Sequence, residues 1–265
     1  MITPILMLGA GRMGGAMVEG WLAAGAFEAR DLMIRDPQPG PSALAAERAG
    51  AMLNPPDADL ARAATVVLAV KPQVWREAAA EAAAWLASAA VIVSIAAGVK
   101  STDIAKAFGG RATARVMPTT AAAIGQGTAS VFADDPAALA RAHALFEPLG
   151  AVVALTDENL MHAATAVSGS SPAYLYAFIE ALEAAGIAAG LAPKDARHLA
   201  RSTLTGAAAL LARSGEEPSE LRRQVTSPGG TTQAALEVLM ANGALPDLMR
   251  EAVAAAVRRS KELGT

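Results

Sequence analysis

The stretch MLGAGRMGGAMVEGW, residues 7–21, constrains the fold more than any other part of the chain. It places G-x-G-x-x-G at Gly9, Gly11 and Gly14, between a short apolar run and an amphipathic stretch. That spacing suits a strand–turn–helix unit carrying a dinucleotide pyrophosphate. The first glycine allows the tight turn, the second lets backbone approach the phosphates, and the third lets helix and strand pack closely. The turn residues Gly9, Gly11, Arg12, Met13 and Gly14 are therefore the expected cofactor loop. The plainer alternative is an ordinary strand-to-helix turn.

The remainder of the first half of the chain agrees with the dinucleotide reading. Apolar runs at 5–8, 31–34, 51–53, 65–70, 91–95 and 113–117 alternate with helical stretches at 12–24, 42–49, 72–86, 103–108 and 136–146. Two more strand candidates lie at 129–133 and 151–155. The run TVVLAV has no polar alternation, as expected of a strand buried on both faces. This pattern predicts a Rossmann-like α/β domain with a doubly wound parallel sheet over residues 1–155, its last two strands less regularly connected. From Thr156 to Thr265 the chain offers helix starts instead, at TDEN, SPAY, PKDA, EPSE, GGTT and LPDL. Residues 156–265 are thus expected to form an all-α domain. Its stretch AYLYAFIEALEAAGIAAGL is apolar on nearly all sides, more than a domain of this size can cover, so a second subunit is expected against Leu175, Phe178, Ile179 and Leu182.

Several function classes fall away. A net charge of -3, from 22 basic and 25 acidic residues with no basic cluster, argues against a nucleic-acid surface. With no cysteine there is neither disulfide nor thiolate chemistry, and His143, His162 and His198 form no metal-ligand pair. No metal site is expected. Residues 82–99 carry no charge but divide at Ser88–Ala90 into a helix end and a buried strand, so no membrane span is expected. The N-terminus reads as a strand rather than a signal peptide, and the expected location is cytoplasmic.

The carboxyl ends of parallel strands face the cofactor, and those segments supply the remaining candidates. Arg35 is placed to meet a 2′-phosphate or to lie on the adenine. Asp36 is either a contact for a free ribose 2′-hydroxyl or a turn residue before Pro37. In AVKP, Ala69 to Pro72, Lys71 lines the site or is a solvated residue at a helix start. The loop SIAAGV, with Ala96, Ala97 and Gly98, and the loop MPTTA end neighbouring strands on the same edge. Far away, TSPGGTT opens a helix with Ser227, Gly229, Gly230, Thr231 and Thr232. Helix N-termini present free N–H groups and a positive dipole end, so this turn is a candidate anion site. Simple capping by a threonine is the alternative.

Taken in order, GAGRMG, AVKP, SIAAGV, AVSGSSPAY and TSPGGTT resemble the Δ1-pyrroline-5-carboxylate reductase family over nearly the whole chain. The resemblance implies NADPH, with NADH possible, as hydride donor to the C=N carbon of 1-pyrroline-5-carboxylate, giving L-proline in the last step of proline biosynthesis. It implies helices that intertwine between two subunits, with decamers as a further assembly. It also implies that Ser227, Gly229, Gly230 and Thr231 hold the substrate and that Thr232 reaches its ring. The chain departs from the family where Thr119 stands for asparagine, Ala121 for proline and Ser171 for glycine, and where Asp36 replaces a hydroxyl residue. Protonation of the imine nitrogen favours attack, and solution supplies that proton, so His162 is expected to be structural. Rival readings are a β-hydroxyacid-dehydrogenase-like or imine-reductase-like oxidoreductase and a non-catalytic NADP-binding protein. The first lacks its lysine and asparagine here, since SSPAYLYA follows Gly169.

Overall fold

The computed structural model describes residues 2–263. The chain divides into two compact units. The first runs to Gly169 and resumes at Ala255, and the second is Ser170–Ala254.

The first unit is built on β1 (Ile5–Leu8), α1 (Arg12–Ala24), β2 (Leu32–Arg35), α2 (Pro41–Arg48), β3 (Met52–Leu53), β4 (Thr65–Leu68), α3 (Trp75–Ala83), β5 (Val91–Ser94), α4 (Ser101–Ala107) and β6 (Thr113–Pro118). It continues through β7 (Gly127–Phe132), α5 (Pro136–Phe146), β8 (Gly150–Ala154) and the short α6 (Met161–Ala164). The eight strands lie in the order β3-β2-β1-β4-β5-β6-β7-β8. β1 to β6 are mutually parallel, and β1, β4 and β5 are buried along their whole length. Such strands need apolar side chains on both faces, which is why their sequences do not alternate.

β7 turns back antiparallel to β6, and β8 runs parallel to β7. Only Thr119–Gln126 joins β6 to β7, whereas a parallel crossover takes roughly a dozen residues or more. The irregular connection expected at this end of the sheet is therefore a reversal. Two cores flank the sheet. One packs Trp21, Phe146 and Leu145 beneath α1, α2 and α5, and the other packs Trp75, Leu86 and Phe108 beneath α3 and α4. The charge-free segment 82–99 spans the end of α3 and β5, and among the described residues no helix is long and apolar enough to cross a membrane.

Chain reversal puts the strand order's switch point between β1 and β4, since β2 and β3 lie to one side and β5 and β6 to the other. Open α/β sheets bind ligands at this place. The glycine loop and the AVKP loop meet there. A Cβ on Gly9 would stand 2.8 Å from Val70 Cγ1 and 2.9 Å from the Ala69 carbonyl oxygen.

The second unit contains α7 (Ser171–Ala188), α8 (Pro193–Ser214), α9 (Pro218–Gln224), α10 (Thr231–Met240) and the first part of α11 (Ala244–Glu262). No strand occurs among its described residues. It buries little: α7 contributes Ile179 alone, and α8 contributes Ala196 and Ala200. Leu175, Phe178 and Leu182 are 50%, 51% and 41% exposed. The apolar excess foreseen for α7 is thus present, except that Ile179 is covered within the chain.

α1 leans on the turn between β6 and β7 at Gly20, where an added Cβ would press into the carbonyl oxygen of Ala122 and the Leu149 side chain. Gly20→Ala is expected to destabilise the first unit by about 1–3 kcal/mol, as overpacking against backbone does. Calorimetry should show a Tm at least about 2 °C lower.

Candidate functional site

In the first unit the site grows from the glycine loop. Gly9 holds φ +89°, a left-handed value that favours glycine, and Gly14 lets α1 settle so close that its Cβ would lie 2.5 Å from the Gly9 carbonyl oxygen. Gly11 differs. Its φ is −65°, and nothing lies within 4 Å of where its Cβ would stand. It is also the N-cap of α1 and offers no side-chain cap, so the first N–H groups of the helix are left for a ligand. The close approach expected of backbone to pyrophosphate has room here, and the reason is space rather than backbone angle.

Asp36 stands at the carboxyl end of β2, and each of its carboxylate oxygens accepts one backbone hydrogen bond. The Ala10 N–H donates to Oδ2 at 2.7 Å and the Gln38 N–H donates to Oδ1 at 2.8 Å. The Asp36 N–H donates in turn to Asn54 Oδ1 at 3.0 Å. Asp36 is therefore a turn residue that also ties the glycine loop to β2. Arg35 is committed as well, to an ion pair with Asp57 and a 3.2 Å hydrogen bond to the Pro55 carbonyl.

Two cavities open beside the loop. One, of about 790 Å³, is lined by Gly9, Gly11, Asp36, Val70 and Lys71. The other, of about 550 Å³, is lined by Gly11, Arg12, Gln38, Ser42 and Thr120. The structure thus brings the loop residues, Arg35, Asp36, Ala69, Val70 and Lys71 to one sheet edge. Pro72 follows directly in the chain, and Met13 is half-buried in the first turn of α1. Ala96 and Gly98 are buried after β5, with Gly98 at φ +79° and Ala97 half-exposed between them. Thr119, where the family has asparagine, is buried and accepts the Thr128 N–H at 2.9 Å. It ties the two antiparallel strands together.

One cluster escaped the sequence reading. Arg115 lies in β6 and is only 2% exposed. Its Nη1 donates to Glu158 at 3.1 Å, and Nε and Nη2 have no hydrogen-bond partner among the described residues. Glu158 also accepts from the Ser101 N–H and hydroxyl, at 2.7 and 2.9 Å, and so caps α4 just beyond the SIAAGV loop. The available signal was a lone arginine in the otherwise uncharged strand TARVM. His162 sits nearby, its Nδ1 3.0 Å from Ser260 Oγ.

In the second unit, TSPGGTT forms a tight turn. The Gly230 N–H donates to the Ser227 carbonyl at 3.0 Å and the Gly229 N–H to Gln233 Oε1 at 2.7 Å. These two N–H groups are used within the turn, and among the described residues the first N–H groups of α10, those of Thr231, Thr232 and Gln233, have no hydrogen-bond acceptor. Gly230 is the N-cap of α10, without a side-chain cap. Neither threonine hydroxyl caps the helix, and both residues are exposed. Ser227 is exposed too, and Gly229 holds φ +70° with open space around its Cβ position.

A pyrroline-5-carboxylate reductase of Synechocystis sp. is 37% identical over 262 residues, 97% of this chain and 97% of that one. The chain belongs to the pyrroline-5-carboxylate reductase family. Residues 158–263 match the family model for pyrroline-5-carboxylate reductase dimerisation, and residues 4–98 match that for NADP oxidoreductase, coenzyme F420-dependent. Two solved structures are similar throughout. A pyrroline-5-carboxylate reductase from Coxiella burnetii has a TM-score of 0.90 at 30% identity, covering 100% of both chains. Plasmodium falciparum pyrroline carboxylate reductase with NADP bound has a TM-score of 0.85 at 25% identity, covering 99% of this chain and 98% of that one. A family defined in part by a dimerisation segment accounts for the thin burial of α7 and α8.

His162 gives this family member a titration of its own. Burial, and then the charges of Arg115, Lys261 and Lys100, hold its pKa below the ordinary value, against the opposing pull of Glu158. Because the folded value is depressed, the unfolded chain binds the proton more readily below about pH 6.5. Stability from this residue is complete above that pH and is lost as pH falls through the folded value. Urea midpoints measured between about pH 5 and 8 should fall on the acid side, and His162→Gln should flatten that slope.

Proposed function

We infer that this chain reduces the C=N bond of 1-pyrroline-5-carboxylate to give L-proline, using NADPH. The observation that carries the reading is the start of α10, where two exposed threonines and uncapped N–H groups stand beside a glycine turn. Such a terminus favours an anion, and the substrate carries a carboxylate. Family membership over nearly the full chain supports the same substrate. A non-catalytic dinucleotide-binding protein has no use for that second feature.

The fit to a dinucleotide rests on Gly11. Its missing side chain leaves a hollow at an uncapped helix start, and that hollow opens on both cavities. Backbone N–H groups of the loop would hold the pyrophosphate, and the residues of AVKP and SIAAGV would line the rest of the site. NADPH supplies the hydride. The protein's part is binding and orientation. The N–H groups of Thr231 and Thr232 would receive the carboxylate, Ser227 would donate to it from the turn, and the Thr232 hydroxyl would hydrogen-bond the ring nitrogen and orient the ring. Solution protonates the nitrogen, so the reaction places no general-acid task on a histidine.

We read residues 1–155 as the cofactor domain and 156–265 as the substrate and dimerisation domain. The dimerisation match beginning at residue 158 supports that division. The small α6 packs on the sheet unit while belonging in sequence to the dimerisation segment. A homodimer whose partner covers Leu175, Phe178 and Leu182 is part of this reading. A decamer rests on the resemblance alone.

Two variants test the proposal at its two ends. The Cβ of Gly11→Val has no protein atom within 4 Å, so the variant should fold with an unchanged circular-dichroism spectrum and lose NADPH binding in a fluorescence titration. Undiminished binding would remove the loop from the site. Thr232→Ala should lower kcat/KM for the imine at least about tenfold, roughly 1.4 kcal/mol of transition-state stabilisation, with NADPH affinity almost unchanged. Full activity in that variant would sink the role given to Thr232.

A further inference from the structure

The cofactor's 2′-phosphate needs a cation, and the residue at the obvious position is not free to supply one. In sheets of this kind the ribose lies at the end of β2, where an acid holds an unphosphorylated 2′-hydroxyl. Here Asp36 occupies that position, clamped by the N–H groups of Ala10 and Gln38. Held from two sides, its carboxylate cannot swing away, and it presents a fixed negative charge to a 2′-phosphate. The adjacent Arg35 has its guanidinium taken by Asp57 and the Pro55 carbonyl. Lys71 is unpaired among the described residues, but it follows β4. That strand lies two places from β2, about 10 Å across the sheet.

Arg12 remains. It is exposed, opens α1 and has neither ion pair nor hydrogen bond from its side chain among the described residues. It lines the smaller cavity together with Gln38, and Gly11 and Gln38 are shared by both cavities. A group leaving the ribose edge of the larger cavity therefore passes Gln38 and arrives beside Arg12. One carboxylate, Glu19, also lines the smaller cavity, where it accepts from Ser42 Oγ at 2.6 Å. It stands seven residues along α1 from Arg12 (19 − 12), a backbone rise of roughly 10 Å, and its carboxylate is engaged by Ser42. The helix start beside Arg12 adds its own positive end.

We propose that Arg12, assisted by the Gln38 side chain, receives the 2′-phosphate of NADPH and sets the preference for the phosphorylated cofactor, against the fixed charge of Asp36. The inference rests on the NADPH-dependent reading above. It replaces Arg35 as the 2′-phosphate partner.

The test uses binding as well as turnover. Adenosine 2′,5′-bisphosphate and 5′-AMP are titrated calorimetrically into the full chain, as wild type, Arg12→Gln and Arg35→Gln. Arg12→Gln should weaken the bisphosphate at least about tenfold more than it weakens 5′-AMP, and should lower the ratio of kcat/KM for NADPH over NADH by a similar factor. Arg35→Gln should move neither ratio. Equal weakening of both probes by Arg12→Gln would assign the residue to the 5′-phosphate or to structure and overturn the proposal. So would a shift in the ratios caused by Arg35→Gln and not by Arg12→Gln. Wild-type turnover of the imine judges the reductase reading separately, because the two probes report on Arg12 whether or not the imine is a substrate.

Discussion

Everything in the sheet unit depends on how closely α1 approaches β1. Gly14 sits against the Gly9 carbonyl, and Gly9 in turn sits against Ala69 and Val70. Three backbones converge where side chains would hold them apart. This contact puts the uncapped start of α1 directly over the gap between β1 and β4, where the strand order reverses. The anion-binding quality of a helix terminus is generic, but its placement is not. A methyl group at Gly14 would push the helix off the strand and carry Gly11 and Arg12 with it.

Around that contact the structure uses carboxylates as clips. Asp36 holds Ala10 and Gln38, which fastens the glycine loop to the segment after β2. Glu158 holds the first turn of α4 and pairs with Arg115 in β6, which fastens the segment after β8 to the centre of the sheet. Both carboxylates are half-buried, and backbone N–H donors, with a guanidinium at Glu158, replace part of the water they lose. Both clips lie beside loops at the carboxyl ends of strands. The loops are therefore held by these ionic contacts as well as by apolar packing, with Ala10, Ala96 and Val99 buried in the cores beneath them.

The helical unit is built differently. Its long helices bury only three of their own apolar residues, Ile179, Ala196 and Ala200. A unit so thinly packed does not offset the conformational entropy of ordering its chain without more surface taken from water. The match to a dimerisation model over residues 158–263 covers these same helices. The same unit holds the turn at Thr226–Thr232, so the candidate carboxylate site is carried by these thinly packed helices.

The strands and most helices were legible in the chain itself, because burial on two faces and helix-start chemistry are local demands. TVVL, VIVS and ILML admit no other placement, and the prolines and threonines of SPAY, PKDA and GGTT mark helix starts directly. Gly9, Gly11 and Gly14 announced the loop for the same reason. The reversal at β7 was visible only as irregularity, since strand direction depends on what a connection must span. Partnerships between distant residues were decided by the tertiary structure alone. No spacing rule pairs Arg35 with Asp57 or Arg115 with Glu158, nor sends the Asp36 carboxylate back to Ala10. Charge type is written in the sequence, whereas the occupant of each charge is a question of distance, and distance exists only once the sheet has brought the strand ends together.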